Sequence, residues 1–248
     1  MSKKNARLSQ NKSINYHESN SINIIISAKN DEQKNYLKEI AKNTITIVRG
    51  SAGTGKTFLA VIYAMQQFLR GKCEKIILTR PVVEAAGERL GFLPGDVLEK
   101  LDPYMMPIYE SLTEIVPEET LDKIMPKNGK KAPIKVIPLA YMRGCSFKNA
   151  FVICDEMQNS TPEQFRMLLT RIGENSRMII CGDTKQSDIY SENGLEDAFN
   201  LLQGIEGIGF VTMSDDAIVR HPLIQSIERK YEARLEQRRK EKNAQKHV

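Results

Sequence analysis

Eight consecutive residues, Gly50-Ser51-Ala52-Gly53-Thr54-Gly55-Lys56-Thr57, follow the pattern GxxxxGK[ST]. Glycines let a backbone turn so that successive N–H groups converge, and such a concavity holds anionic oxygen. The run follows an apolar stretch (44–48, TITIV) and precedes a helical pattern carrying Phe58, Leu59, Val61, Ile62, Met65 and Leu69. A helix starting there adds partial positive charge at its N-terminus. Strand before and helix after are the context this motif requires. Residues 50–58 therefore read as a phosphate cradle, with Lys56 reaching the β- and γ-phosphates of a nucleotide and the Thr57 hydroxyl ligating Mg2+.

A second candidate group lies 98 residues beyond Thr57, where the apolar run Phe151-Val152-Ile153-Cys154 ends in Asp155 and Glu156. Two acids directly after four apolar residues are costly to place without a cation. Asp155 is placed to hold the water shell of Mg2+ opposite Thr57, and Glu156 is a candidate general base for an attacking water. A third run, Met178-Ile179-Ile180-Cys181, ends in Gly182-Asp183 and then Gln186. An amide can donate to phosphate and accept from water at once, so Gln186 is a candidate γ-phosphate sensor. An ordinary Gly-Asp turn is the alternative.

These residues need a scaffold that brings three strand ends to one edge. Apolar runs occur at 44–48, 75–79, 134–139, 150–154, 177–181 and 208–213, with helical patterns at 31–42, 56–70, 162–172 and 195–203. In the first helix Tyr36, Leu37, Ile40 and Ala41 share a face behind an Asn30/Asp31 cap, and Ile22–Ile26 before it reads as a further short strand. Buried runs joined by helices predict an α/β fold, a mostly parallel sheet with helices on both faces. Strand ends at the C-terminal edge of such a sheet face the ligand crevice. The stretch 81–133, with seven prolines, breaks the rhythm. It is expected to be an elaboration facing substrate or a neighbouring subunit, or else a helical hairpin over a sheet edge.

The 248 residues are 41% hydrophobic with a net charge of +5, which excludes dominant disorder. A secretory signal and a membrane span are not expected, and four widely spaced cysteines without a CxxC pair argue against a disulfide framework or structural zinc. A cytoplasmic location fits best. Residues 1–20, a flexible arm by composition, hold four basic residues and one acidic; residues 228–248 hold eight and four, leaving −2 on the 207 between. The domain is thus placed at 21–227, and its basic character belongs to the two ends. In the last segment Lys230, Arg234, Arg238 and Lys242 recur at helical spacing opposite Glu228, Glu232 and Glu236. Such a stripe suits a phosphate backbone, with a solvated helix as the alternative.

The blocks GSAGTGKT (50–57), LTRPVVEAAGERLGFLPGD (78–96), MRGCSFKNAFVICDEMQN (142–159), CGDTKQSD (181–188) and DAIVRHPLIQ (216–225) together resemble the PhoH-like ATPases, whose core is related to superfamily 1 helicases. The resemblance spans roughly residues 20–228. It implies a RecA-like P-loop fold, Mg2+-dependent ATP hydrolysis, assembly into a ring of six, and action on single-stranded RNA or DNA as a helicase or translocase. Many relatives are bacterial or phage-encoded. It also matches Gln33, 17 residues before Gly50, to a glutamine that reads adenine in helicase relatives. Some relatives carry a nuclease domain ahead of the P-loop; roughly 50 residues are too few for a domain of ordinary size, so no nuclease activity is expected.

Superfamily 1 helicases close a second RecA-like domain on the ATP, and only about 35 residues follow the last strand here. The arginine for hydrolysis is therefore expected from a neighbouring subunit. Arg220, stiffened by Pro222, is the candidate, with Arg80 and Arg143 as runners-up. Two other functions stay open: a P-loop nucleoside kinase sharing the Asp-Glu-x-Gln segment, and an ATP-gated assembly scaffold with slow turnover.

Overall fold

The computed structural model describes residues 24–82, 106, 108–125, 132–183, 186–187 and 192–219, with 223, 226, 227, 230, 231, 234 and 237 farther on. Six strands form one parallel sheet: β1 (Ile45–Gly50), β2 (Lys75–Thr79), β3 (Ile134–Val136), β4 (Ala150–Cys154), β5 (Arg177–Gly182) and β6 (Ile208–Met213). Their spatial order is β3-β2-β4-β5-β1-β6. The strand bearing the P-loop is thus separated from the strand bearing Asp155 by β5 alone.

Alternation along each strand explains why the runs are apolar throughout. Val48, Ile76, Leu78, Phe151, Ile153, Ile179 and Cys181 join one core cluster, while Ile47, Ile77, Val152, Cys154, Met178 and Ile180 join the other. Side chains of odd and even position point to opposite faces, and here both faces are covered. Helices α1 (Asp31–Lys42) and α2 (Lys56–Leu69) cover the first face through Tyr36, Ile40, Leu59, Ala64 and Phe68. Helices α4 (Pro162–Leu169) and α5 (Gly194–Leu201) cover the second through Phe165, Leu168, Leu195 and Phe199.

The helix starts follow local chemistry. Asn30 Oδ1 accepts from the Gln33 N–H at 2.8 Å, and acidic Asp31 and Glu32 occupy the first turn of α1. Thr161 and Gln164 form a reciprocal capping box at α4, with Pro162 at the first helical position.

Several expectations are corrected. No strand forms over the described part of 22–26: Ile24 is buried and its carbonyl accepts from Gln66 Nε2 of α2 at 2.8 Å, a tether to a helix in place of a ladder. The run 134–139 is regular strand only over Ile134–Val136: a 3-10 turn, Leu139–Met142, opens after Pro138, while the Ile137 and Leu139 N–H groups still donate to Leu78 O at 2.8 Å and Arg80 O at 3.2 Å. On α1 the buried positions are Gln33, Tyr36 and Ile40, whereas Ala41 is exposed. Within 81–133, Ile108, Leu112, Val116 and, on the short helix α3 (Glu118–Ile124), Leu121 and Ile124 join the first core cluster. The described part of that stretch contributes core.

Candidate functional site

The loop between β1 and α2 is shaped by two glycines in left-handed backbone, Gly53 (φ 83°) and Gly55 (φ 85°). Gly50 also meets a steric demand. A Cβ there would lie 2.5 Å from the Met213 carbonyl oxygen, so Gly50 is required by the close approach of β6. Helix α2 starts at Gly55 without a side-chain cap and with no acid in its first turn, whereas α1, α4 and α5 are all side-chain capped. Its free N–H groups and dipole remain available to an anion.

Lys56 is 8% exposed, and its ammonium donates to the loop's own carbonyls, Gly50 O at 2.7 Å and Ser51 O at 2.8 Å. Burial pulls its pKa below the ordinary lysine value, while Cys181, Asp183, Asp155 and Glu156 pull it back up. Thr57 Oγ1 donates to Asp155 Oδ1 at 2.5 Å. A hydroxyl and a carboxylate converging this closely are hard oxygen donors that fit Mg2+, which keeps several waters and needs few protein ligands. No cluster of three or more His, Cys, Asp or Glu able to hold a metal occurs among the described residues.

Glu156, one residue beyond Asp155, adopts left-handed backbone (φ 53°), an uncommon conformation for a side-chain-bearing residue. It is partly buried; burial first and the neighbouring Asp155 second raise its pKa, against the opposing pull of Gln158, Arg80 and Lys56. Its Oε2 accepts from Gln158 Nε2 at 2.5 Å. Gln186 is exposed; its carbonyl accepts from Gln158 Nε2 at 3.3 Å, and its N–H donates to the Asp183 carbonyl at 3.0 Å.

Gln33 is 3% exposed, not solvated on a polar helix. Its amide donates to Thr54 O at 3.0 Å and accepts from the Lys29 N–H at 2.8 Å, and Tyr36 OH donates to Lys56 O at 3.3 Å. The P-loop is thus braced from α1. From the other side, the Val219 N–H donates to Gly53 O at 3.0 Å, and the Ser51 hydroxyl donates to the Asp215 carboxylate. Phe58 lies on the first turn of α2, 38% exposed.

Among the arginines, Arg80 is half-buried at the end of β2 with an Nε that has no partner among the described residues, and Arg143 is exposed. Arg220 and, in the charged stripe, Glu228, Glu232, Glu236, Arg238 and Lys242 lie outside the described residues. Lys230 and Arg234 are helical and exposed. No helix among the described residues is long and apolar enough to cross a membrane.

Sequence reasoning left three contributors without a role: Asp183, whose carboxylate accepts from the Ala52 N–H at 3.0 Å, Asp215, and Gln158. The Asp-Glu-x-Gln spacing was the one available signal for Gln158.

A P-loop on β1, an acid pair on β4 and a parallel sheet that brings both to one edge define a RecA-like P-loop nucleoside triphosphatase domain. Residues 25–232 match the PhoH-like protein family. The chain belongs to this family. It is 47% identical over 210 residues to a PhoH-like protein of Synechocystis sp., covering 84% of this chain and 62% of the relative. It is 44% identical over 209 residues to one of Bacillus subtilis, covering 84% and 64%, and 39% identical over 203 residues to Protein PhoH of Escherichia coli K12, covering 81% and 56%. The matched region thus spans between half and two thirds of these relatives' own length.

Among solved structures, the N-terminal domain of the DNA packaging ATPase from bacteriophage phi29 is similar at 17% identity and a TM-score of 0.44, over 79% of this chain and all of that one. The Pyrococcus furiosus Hef helicase domain is similar at 15% identity and a TM-score of 0.41, over 73% of this chain and 37% of that one.

Proposed function

We propose that this chain binds ATP with Mg2+ and hydrolyses it, and that it does so as a homo-oligomeric ring, of six subunits, acting on single-stranded RNA or DNA in the cytoplasm. The observation that carries the hydrolysis reading is the Thr57–Asp155 contact with Glu156 one residue away. Mg2+ held at Thr57 and, through water, at Asp155 would neutralise charge on the β- and γ-phosphate oxygens.

The chain's own groups do the rest. The N–H groups of residues 53–57 receive the phosphates as the Lys56 ammonium turns from the loop carbonyls toward the β- and γ-oxygens. Glu156 accepts a proton from the attacking water as its oxygen bonds to the γ-phosphorus. The bond from that phosphorus to the β–γ bridging oxygen breaks, giving ADP and phosphate, and the proton returns to solvent. Gln186 reports on the γ-phosphate, Gln33 sits beside the adenine, and Arg220 acts on a neighbouring subunit's ATP.

The charge pattern supports backbone contact with a polyanion: the excess lies at the two ends, and Lys230 and Arg234 are exposed on a helix. The test is phosphate release measured with and without poly-RNA and single-stranded DNA across a salt series. Stimulation that falls steeply with salt is the expected result. Release unaffected by either polymer overturns the nucleic-acid reading. A phosphorylated nucleoside product in place of free phosphate overturns hydrolysis in favour of a kinase.

A further inference from the structure

We propose that Gln158 is a positioning residue for hydrolysis, holding the Glu156 carboxylate to the end of β5 so that base and phosphate-sensing segment keep one geometry. This rests on the hydrolysis reading above. Gln158 is 1% exposed and sits in the 3-10 turn Met157–Asn159 that follows Glu156. Its amide serves three partners. Oε1 accepts from the Asp183 N–H at 2.9 Å, while Nε2 donates to Glu156 Oε2 at 2.5 Å and to Gln186 O at 3.3 Å. Both amide hydrogens and one acceptor position are thereby used. The shortest of the three bonds goes to the base.

The bonds form a continuous path across the site. Asp183, whose N–H meets Gln158, carries the carboxylate that accepts from the Ala52 N–H of the P-loop at 3.0 Å. One buried amide therefore connects P-loop, sensor segment and base. Gly182 leaves the space: a Cβ there would lie 2.7 Å from Gln158 Oε1 and 2.5 Å from a Leu195 methyl.

Glu156 needs such a hold. Its left-handed backbone persists only where neighbours over-determine it. A carboxylate held by one oxygen presents the other in a defined direction. Loss of a merely structural amide would lower stability and leave hydrolysis of bound ATP unchanged.

The experiment uses the full chain, Gln158→Met (similar length, no hydrogen bonds) and Gln158→Glu (same size, still able to accept from Asp183). Single-turnover hydrolysis at saturating Mg-ATP is followed at neutral pH, beside affinity for a fluorescent ATP analogue. Affinity is expected to stay within about twofold, and the rate to fall roughly tenfold or more. The loss is expected in both variants, because neither retains the donor to Glu156 Oε2. If Gln158→Met does not fold, as judged by circular dichroism, Gln158→Glu carries the test. An unchanged single-turnover rate, or a rate loss matched by lost affinity, overturns the role in an active protein. A wild-type chain with no turnover overturns the hydrolysis reading itself, and this role with it.

Discussion

The Thr57 hydroxyl donates to Asp155 at 2.5 Å, joining residues 98 positions apart in the chain. Neither residue alone distinguishes a phosphate-binding turn from a hydrolytic site. Their contact arises because β5 alone lies between β1 and β4, so that the loops leaving both strands open into one crevice.

That contact predicts a metal-specific defect. Thr57→Ala and Asp155→Asn should each weaken nucleotide binding about tenfold or more in Mg2+, a change of roughly 1.4 kcal/mol, with little change in excess chelator. Titration of a fluorescent ATP analogue under both conditions measures this. An equal loss with and without Mg2+ would place both residues in nucleotide contact alone.

Glu156→Gln is expected to stop turnover while nucleotide still binds. For the wild type, activity should fall as pH drops through the raised folded pKa of Glu156, above the ordinary glutamate value near 4.3. Stability follows the same sign. A raised folded pKa means that the protonated form is favoured in the fold, so its stabilisation is complete below the unfolded pKa and lost as pH rises through the folded one. The amide escapes that loss, so the variant should melt higher than wild type at neutral pH and alike in acid. Thermal melts at two pH values check this, and a lower melting point at neutral pH would contradict it.

Thr79 ends β2 with a hydroxyl that is fully buried and has no partner among the described residues. An unpaired buried hydroxyl is costly, and valine has the same shape. Thr79→Val should therefore stabilise the chain by about 1 kcal/mol, a rise of about 2–4 °C in Tm for a domain this size. A fall in Tm would mean that the hydroxyl has a bonding partner.

Gly50→Ala tests why the first P-loop glycine is there. The added methyl would meet the Met213 carbonyl at 2.5 Å and Met213 Cβ at 2.7 Å, forcing β6 from β1. A loss of about 1–3 kcal/mol in unfolding free energy is expected from such overpacking. Unchanged stability with lost nucleotide binding would return Gly50 to a purely phosphate-binding role.

Much of the site was legible in order along the chain. The P-loop octet, the acids after Cys154 and the Gly-Asp after Cys181 are local patterns whose chemistry follows from residue type. Strand positions were legible because a sheet covered on both faces requires unbroken apolar runs. The misreadings were also local in cause. The run 134–139 looked uniform, but a 3-10 turn opens after Pro138. The burial of Gln33 was not legible, because it depends on the P-loop folding onto α1.

The sequence by itself thus determined the phosphate cradle, the acid pair and the concentration of positive charge at the two ends, each a property of neighbouring residues. It could not determine which distant groups meet. That Thr57 reaches Asp155, that Gln158 ties Glu156 to Asp183, and that Gly50 yields to β6 depend on strand order and on loops converging at one edge. Tertiary structure alone decided these, because hydrogen bonds and steric exclusion act over a few ångströms whatever the separation along the chain. The net +5 stayed a property of composition, while the chemistry fell to a core carrying −2.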